Sequence, residues 1–282
     1  MTATAAGIGA LALWAFLALL SRLAAGLPPL QLTAMAFAVG GAGALAWLAW
    51  RGQLGLLRQA PVVWAHGVGG LFGYHALYFA ALAYAPAVEA NLLNYLWPLL
   101  IVLLSAPILG LPLGPRRLLG VALGVAGCAL LLGGGLGAGE YPPGAWFGFL
   151  CAIGCAFVWA LYSVTAKRLA RVPTGAVGGF CAASALLALA AHLGFEATVA
   201  PDARQWLAAL LLGAGPVGAA FFLWDAGMKR GDPRLLGTLA YAVPVTSTLL
   251  LIAVGEGALG WGVLAALALV VGGGWLAATA RG

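Results

Sequence analysis

The chain has 282 residues, of which 64% are hydrophobic and only 7% charged, with 13 basic against 7 acidic side chains for a net charge of +6. A soluble domain carries about 25% charged residues, so this sequence cannot clothe a water-soluble globule; an ordinary soluble enzyme, a nucleic-acid binder and a disordered chain are all excluded. The basic excess reads as membrane topology rather than as affinity for an acidic partner.

A helix needs about 20 apolar residues to cross a hydrocarbon core of about 30 Å, where unpaired backbone groups are not tolerated. Punctuation by charge, Pro and Gly predicts ten spans, over residues 4–22, 30–50, 61–84, 87–109, 116–133, 144–166, 174–195, 204–228, 233–254 and 259–279. No Lys or Arg precedes the first, so it reads as a spanning helix rather than a secretory signal. The connections are short, and the glycine-rich stretch Gly133–Gly139 is the one linker, near the middle of the chain. Cys128, Cys151, Cys155 and Cys181 sit inside apolar runs without CxxC spacing and read as small packing residues.

Eleven of the 13 basic residues fall in even-numbered loops or at the C-terminus, while Arg22 and Arg204 fall in odd-numbered loops with Glu89, Glu140, Glu196, Asp202 and Glu256. The positive-inside rule therefore predicts that both termini are cytoplasmic.

The two halves echo each other. Tyr95-Leu96-Trp97-Pro98 in span 4 matches Tyr241-Ala242-Val243-Pro244 in span 9, and Trp14-Ala15 in span 1 matches Trp159-Ala160 in span 6. Two five-span repeats, 1–135 and 140–282, must cross the membrane in opposite senses because five is odd. Such an inverted repeat is a transporter signature, with the substrate site near the midplane. On these features the chain resembles the drug/metabolite transporter superfamily of the EamA type. The runs Gly73-Tyr74-His75-Ala76-Leu77-Tyr78-Phe79-Ala80-Ala81-Leu82 and Glu89-Ala90-Asn91-Leu92-Leu93-Asn94-Tyr95-Leu96-Trp97-Pro98 are similar to those of the bacterial aromatic amino acid exporters within it.

The candidate substrate-binding residues follow. In span 3, Tyr74, His75 and Tyr78 share a helical face, either as a cavity wall or as partners in interhelical hydrogen bonds. In span 4, Asn91, Asn94, Tyr95 and Pro98 form one stripe, and Pro98 removes the hydrogen bond to the Asn94 carbonyl. Pro244, with Tyr241 on its face, is its mate in span 9, and both prolines are expected to kink their helices. In span 6, Trp159, Tyr162 and Ser163 share a face. The resemblance implies that Tyr74, Tyr78, Tyr95, Trp97 and Trp159 surround the substrate. Seven Trp near span ends (Trp47, Trp50, Trp64, Trp146, Trp206, Trp261, Trp275) suit an interfacial belt, whereas Trp14, Trp97 and Trp159 lie near midpoints where no belt explains them.

Asp225 and Lys229 are spaced as a helical ion pair. No Walker A motif, Gly-x-Ser-x-Gly elbow or paired metal ligands occur, so neither an ATP-driven pump nor an intramembrane enzyme is expected, and no cofactor or metal is implied. The expectation is an inner-membrane amino acid exporter, aromatic or large neutral substrates favoured. It would work as a monomer by alternating access, with lipid and a small-molecule substrate as its partners. Export of drugs or other metabolites is the alternative.

Overall fold

Proline opens helix after helix. Pro29, Pro61, Pro98 and Pro115 stand at the first or second position of theirs, where a missing N–H is no loss and the fixed φ favours the first turn. The computed structural model describes residues 3–110, 113–132, 141–169, 171–231, 236, 239–240 and 242–279, and among these no strand occurs. The α-helices are α1 (Ala3–Ala15), α2 (Leu17–Leu23), α3 (Pro29–Trp50), α4 (Pro61–Tyr84), α5 (Ala87–Asn94), α6 (Trp97–Leu109), α7 (Pro115–Leu132), α8 (Ala145–Ala166), α9 (Ala176–Phe195), α10 (Ala203–Ala214), α11 (Ala220–Arg230), α12 (Ala242–Ala253) and α13 (Trp261–Thr279). The predicted linker Gly133–Gly139 lies outside the described residues.

Six helical segments among the described residues are long and apolar enough to cross a membrane: Ala3–Leu23, Pro29–Trp50, Ala87–Leu109, Ala145–Ala166, Ala176–Phe195 and Ala203–Gly227. α12 and α13 are shorter apolar helices. α4 runs 24 residues over predicted span 3. It falls outside the six because Trp64, His66, Tyr74, His75 and Tyr78 dilute its apolarity, and three of these, Tyr74, His75 and Tyr78, are buried on its inner face. α7 covers span 5 and carries Arg116 and Arg117 in its first turn.

Among the described residues, three spans are interrupted. α1 gives way to α2 at Phe16. α5 ends at Asn94 and α6 restarts at Trp97. A five-residue π-turn, Gly215–Ala219, separates α10 from α11, a feature that often marks functional sites.

Each principal helix pairing joins the two halves of the chain. α7 packs along α13, α3 along α9, α4 along α8 and α1 along α11, with α6 and α5 also against α8, α3 against α10, α4 against α9, and α5 against α12. Small residues permit the approach, because helices in lipid gain no hydrophobic drive from meeting and depend on close van der Waals contact. A Cβ added to Gly41 of α3 would come within 2.7 Å of the Ala182 backbone in α9. The N-terminus of α3 is capped from the opposite half. The Glu196 carboxylate accepts the Leu30 and Gln31 N–H groups at 3.0 and 3.1 Å, where the helix dipole favours negative charge.

Trp47, Trp50, Trp146, Trp206, Trp261 and Trp275 are exposed, as a belt requires. Trp64 is not: it is half-buried, edge-on to Phe180 with ring centroids 5.3 Å apart, because Gly179 of α9 leaves room for it.

Candidate functional site

The inner faces of α4 and α5 carry a buried polar network. The Tyr78 hydroxyl donates to Asn91 Oδ1 at 2.7 Å. Asn91 Nδ2 donates to Ser247 Oγ of α12 at 3.1 Å. Asn94 Nδ2 donates to the Tyr74 hydroxyl at 3.1 Å, and Asn94 Oδ1 accepts from the Cys155 thiol of α8 at 3.2 Å. Ser247 also engages the buried Tyr95. Unpaired amides and hydroxyls are costly in an apolar interior, and here they satisfy one another across four helices. Of the two alternatives for Tyr74 and Tyr78, interhelical hydrogen bonding is the arrangement present. The hydroxyl of Thr248, beside Ser247, is fully buried and has no partner among the described residues.

Rings form the next layer. Tyr74 stacks on Tyr78 with centroids 5.7 Å apart and planes 7° apart. Trp159 of α8 lies 5.1 Å from Tyr74, 6.2 Å from Trp14 of α1, 6.1 Å from Phe221 of α11 and 5.3 Å from Tyr162. Trp14 reaches Trp224 at 5.3 Å, and its Nε1 donates to the Pro216 carbonyl in the π-turn at 3.1 Å. The Trp at the midpoint of the first span and its counterpart in the sixth are thus in contact.

The remaining candidates are placed differently. His75 is walled by Phe37, Phe79 and Phe221 and gives its Nδ1 proton to the Leu71 carbonyl of its own helix at 2.8 Å. It touches Tyr74 but is not among the bonded partners of the asparagine network. Tyr162 stacks on His66 at 4.6 Å, seated over Gly70. Ser163 donates to the Trp159 carbonyl one turn back at 2.7 Å, so its hydroxyl is already spent within α8. Trp97 opens α6, half-buried against the core. Tyr241 lies outside the described residues. Asp225 accepts a hydrogen bond from the Thr174 hydroxyl; the side chain of Lys229, its expected partner, lies outside the described residues.

Pro98 does more than kink its span. Tyr95 and Leu96 turn back on Leu92 and Leu93 through two tight hydrogen bonds of 3.1 Å before α6 begins. Without a Pro98 N–H, the Asn94 carbonyl has no helical partner, and the helix breaks beside the network. Pro244 sits buried as the third residue of α12. Pro98→Ala is expected to change transport kinetics severalfold while shifting the melting temperature little; a lower melting temperature with unaltered transport would make the break a packing feature only.

Ser247, Thr248 and Cys155 escaped the sequence reading, since each is a small residue inside an apolar run. The one available signal was position: Ser247 and Thr248 lie three and four residues after Pro244, on its helical face. No group of three or more His, Cys, Asp or Glu suited to a metal occurs among the described residues.

A bundle that turns apolar side chains outward and seals a satisfied polar network and a ring cluster within is a polytopic membrane protein. The description of the EamA-like transporter family matches residues 1–133 and 146–279, and the chain belongs to that family. It is a transporter and not an enzyme, a multi-pass protein of the bacterial inner membrane. It is similar to an aromatic amino acid exporter, YddG, of Ancylobacter novellus, at 51% identity over 277 residues, 96% of this chain and 95% of that one. It shares 27% identity with the YddG exporter of Salmonella typhimurium, over 88% of this chain and 87% of the relative. A crystal structure 49% identical in sequence superposes with a TM-score of 0.75, covering 98% of this chain and 96% of the other.

Proposed function

We propose that this transporter exports amino acids, with aromatic and other large neutral ones favoured, by alternating access at the ring-and-amide cluster. The observation that carries the proposal is the meeting of Tyr74, Tyr78 and Trp159 with Asn91 and Asn94 at the contact between the halves. Aromatic rings prefer neighbours at about 4.5–7 Å, and their faces attract an ammonium with about 0.5–2 kcal/mol. Asparagine amides can donate to a carboxylate and accept from an ammonium. Substrate would take over bonds that these groups now make to one another. Tyr95, Trp97, Tyr162, Tyr241, Ser163 and His75 complete the proposed lining, with Pro98 and Pro244 as the hinges. The names of the relatives at 51% and 27% identity support the substrate class.

The halves 1–135 and 140–282 are proposed as inverted repeats with both termini cytoplasmic. The helix pairing supports a two-fold relation. Exchanging each span for the one five places along swaps the pairs 1–8 and 3–6, and maps the pairs 2–7, 4–9 and 5–10 onto themselves. One chain carries both halves, so transport is proposed for the monomer, without an ATP-binding subunit.

Counterflow in proteoliposomes with phenylalanine, threonine and an organic cation, with and without a pH gradient, tests the substrate class. Phenylalanine flux well above the other two is expected. Movement of the organic cation alone would replace the amino acid reading with export of drugs or other metabolites.

A further inference from the structure

Arg22 and Arg204 stand apart from the other basic residues in lying on the odd-numbered side. Arg204 is exposed at the start of α10. Arg22 is different: it closes α2, and its side chain is only 26% exposed. It lines a cavity of about 530 Å³ between the α2–α3 connection, the end of α4 and the residues that follow α9. That volume falls within the range of small-molecule sites, about 300–1,000 Å³. Phe79 also lines the cavity, and its ring lies 5.9 Å from His75 and 6.2 Å from Tyr78. Phe79 therefore stands between this vestibule and Tyr78 of the central cluster.

Arg22 Nε donates to Glu256 Oε2 at 2.8 Å, and Arg22 Nη1 donates to the Leu82 carbonyl at 2.8 Å. The carbonyl fixes the guanidinium at the mouth of α4, while Glu256 arrives from the opposite half, 234 residues away. A guanidinium fork matches a carboxylate in shape and charge. Glu256 is thus a carboxylate already seated where another could sit, and both partners keep a quarter of their exposure. Each side chain keeps an exposed edge, so the guanidinium is not sealed off from a competing carboxylate.

We propose that Arg22 forms a second substrate site in the vestibule, binding the α-carboxylate of the transported amino acid in place of Glu256. The inference rests on the amino acid reading above. Substrate leaving the central cluster past Phe79 meets Arg22 next, and by displacing Glu256 it releases a tie between the two halves.

The test is phenylalanine counterflow in oriented proteoliposomes, with substrate added on the vestibule side, for the wild type, Glu256→Gln and Arg22→Gln. Glu256→Gln removes the competing charge and is expected to lower the half-saturation concentration about threefold to tenfold. Arg22→Gln is expected to raise it at least tenfold; should that variant fail to fold, Arg22→Lys, which keeps the charge without the fork, is expected to raise it at least threefold. Shifts of both variants in the same direction, as a purely structural tie would give, or no shift in either, would overturn the site. A wild type that moves no amino acid would instead remove the reading on which the site rests.

Discussion

Trp159→Ala is expected to lower phenylalanine export about tenfold while the protein still reaches the membrane and purifies as a single species. Trp159 is the common neighbour of Trp14, Tyr74, Tyr162 and Phe221, so it ties rings of both halves together. Each aromatic pair contributes about 0.5–1.5 kcal/mol beyond its buried area. A substrate ring that loses one such partner, and an ammonium that loses an indole face worth about 0.5–2 kcal/mol, together forfeit about 1–3.5 kcal/mol, a range centred above the 1.4 kcal/mol that corresponds to about a factor of ten. Folding should suffer less, because Trp159 is only half-buried. Tyr78→Ala should impair export in the same way. Normal export by both variants, measured by counterflow against matched protein amounts, would remove the cluster from the path.

Gly120→Val is expected to abolish the folded protein, in contrast to Gly69→Val. A Cβ at Gly120 would collide with the Gly273 carbonyl of α13 and stand 2.8 Å from the Ala277 backbone nitrogen; a Cβ at Gly273 would meet the Gly124 nitrogen of α7 at 3.0 Å. These are backbone atoms, with no rotamer to escape into, so α7 and α13 must separate. Overpacking costs about 1–3 kcal/mol where side chains can yield, and more is expected where they cannot. Gly69 has nothing within 4 Å of its would-be Cβ and serves as the control. The measurement is the monodisperse fraction in detergent and its melting temperature. Equal values for the two variants would mean that the α7–α13 contact is not tight in the folded protein.

The helical class, the approximate spans and the inward face of α4 were legible because they depend on local spacing. Tyr74 and Tyr78 lie one turn apart in a segment whose other residues are small or apolar, so polar tips in mid-membrane had to turn inward. The Trp14–Trp159 meeting was half-legible, as a pair of matching positions without a reason for contact. Partners chosen across the chain were not legible. Nothing in the spacing of Arg22 announces Glu256, and nothing in Glu196 announces the start of α3, because such pairs exist only once the halves have docked. The break at Tyr95–Leu96 was underestimated as a kink. A missing N–H was visible, but the tight turn that replaces it depends on Asn91 and Asn94 being held by α4, α8 and α12. The π-turn at Gly215–Ala219 had no sequence signal beyond Pro216, and it is fastened by a Trp14 bond from the other half.

The most direct test of a substrate path at the contact between the halves uses Ser247, which accepts from Asn91 within the network. Ser247→Cys would be introduced after Cys128, Cys151, Cys155 and Cys181 are replaced by Ser, and treated with a membrane-impermeant thiol reagent from either face of the membrane. The expected result is slow labelling from both faces, further slowed by phenylalanine. Labelling that is absent from both faces, or that phenylalanine leaves unchanged, would contradict a site that opens alternately to the two sides.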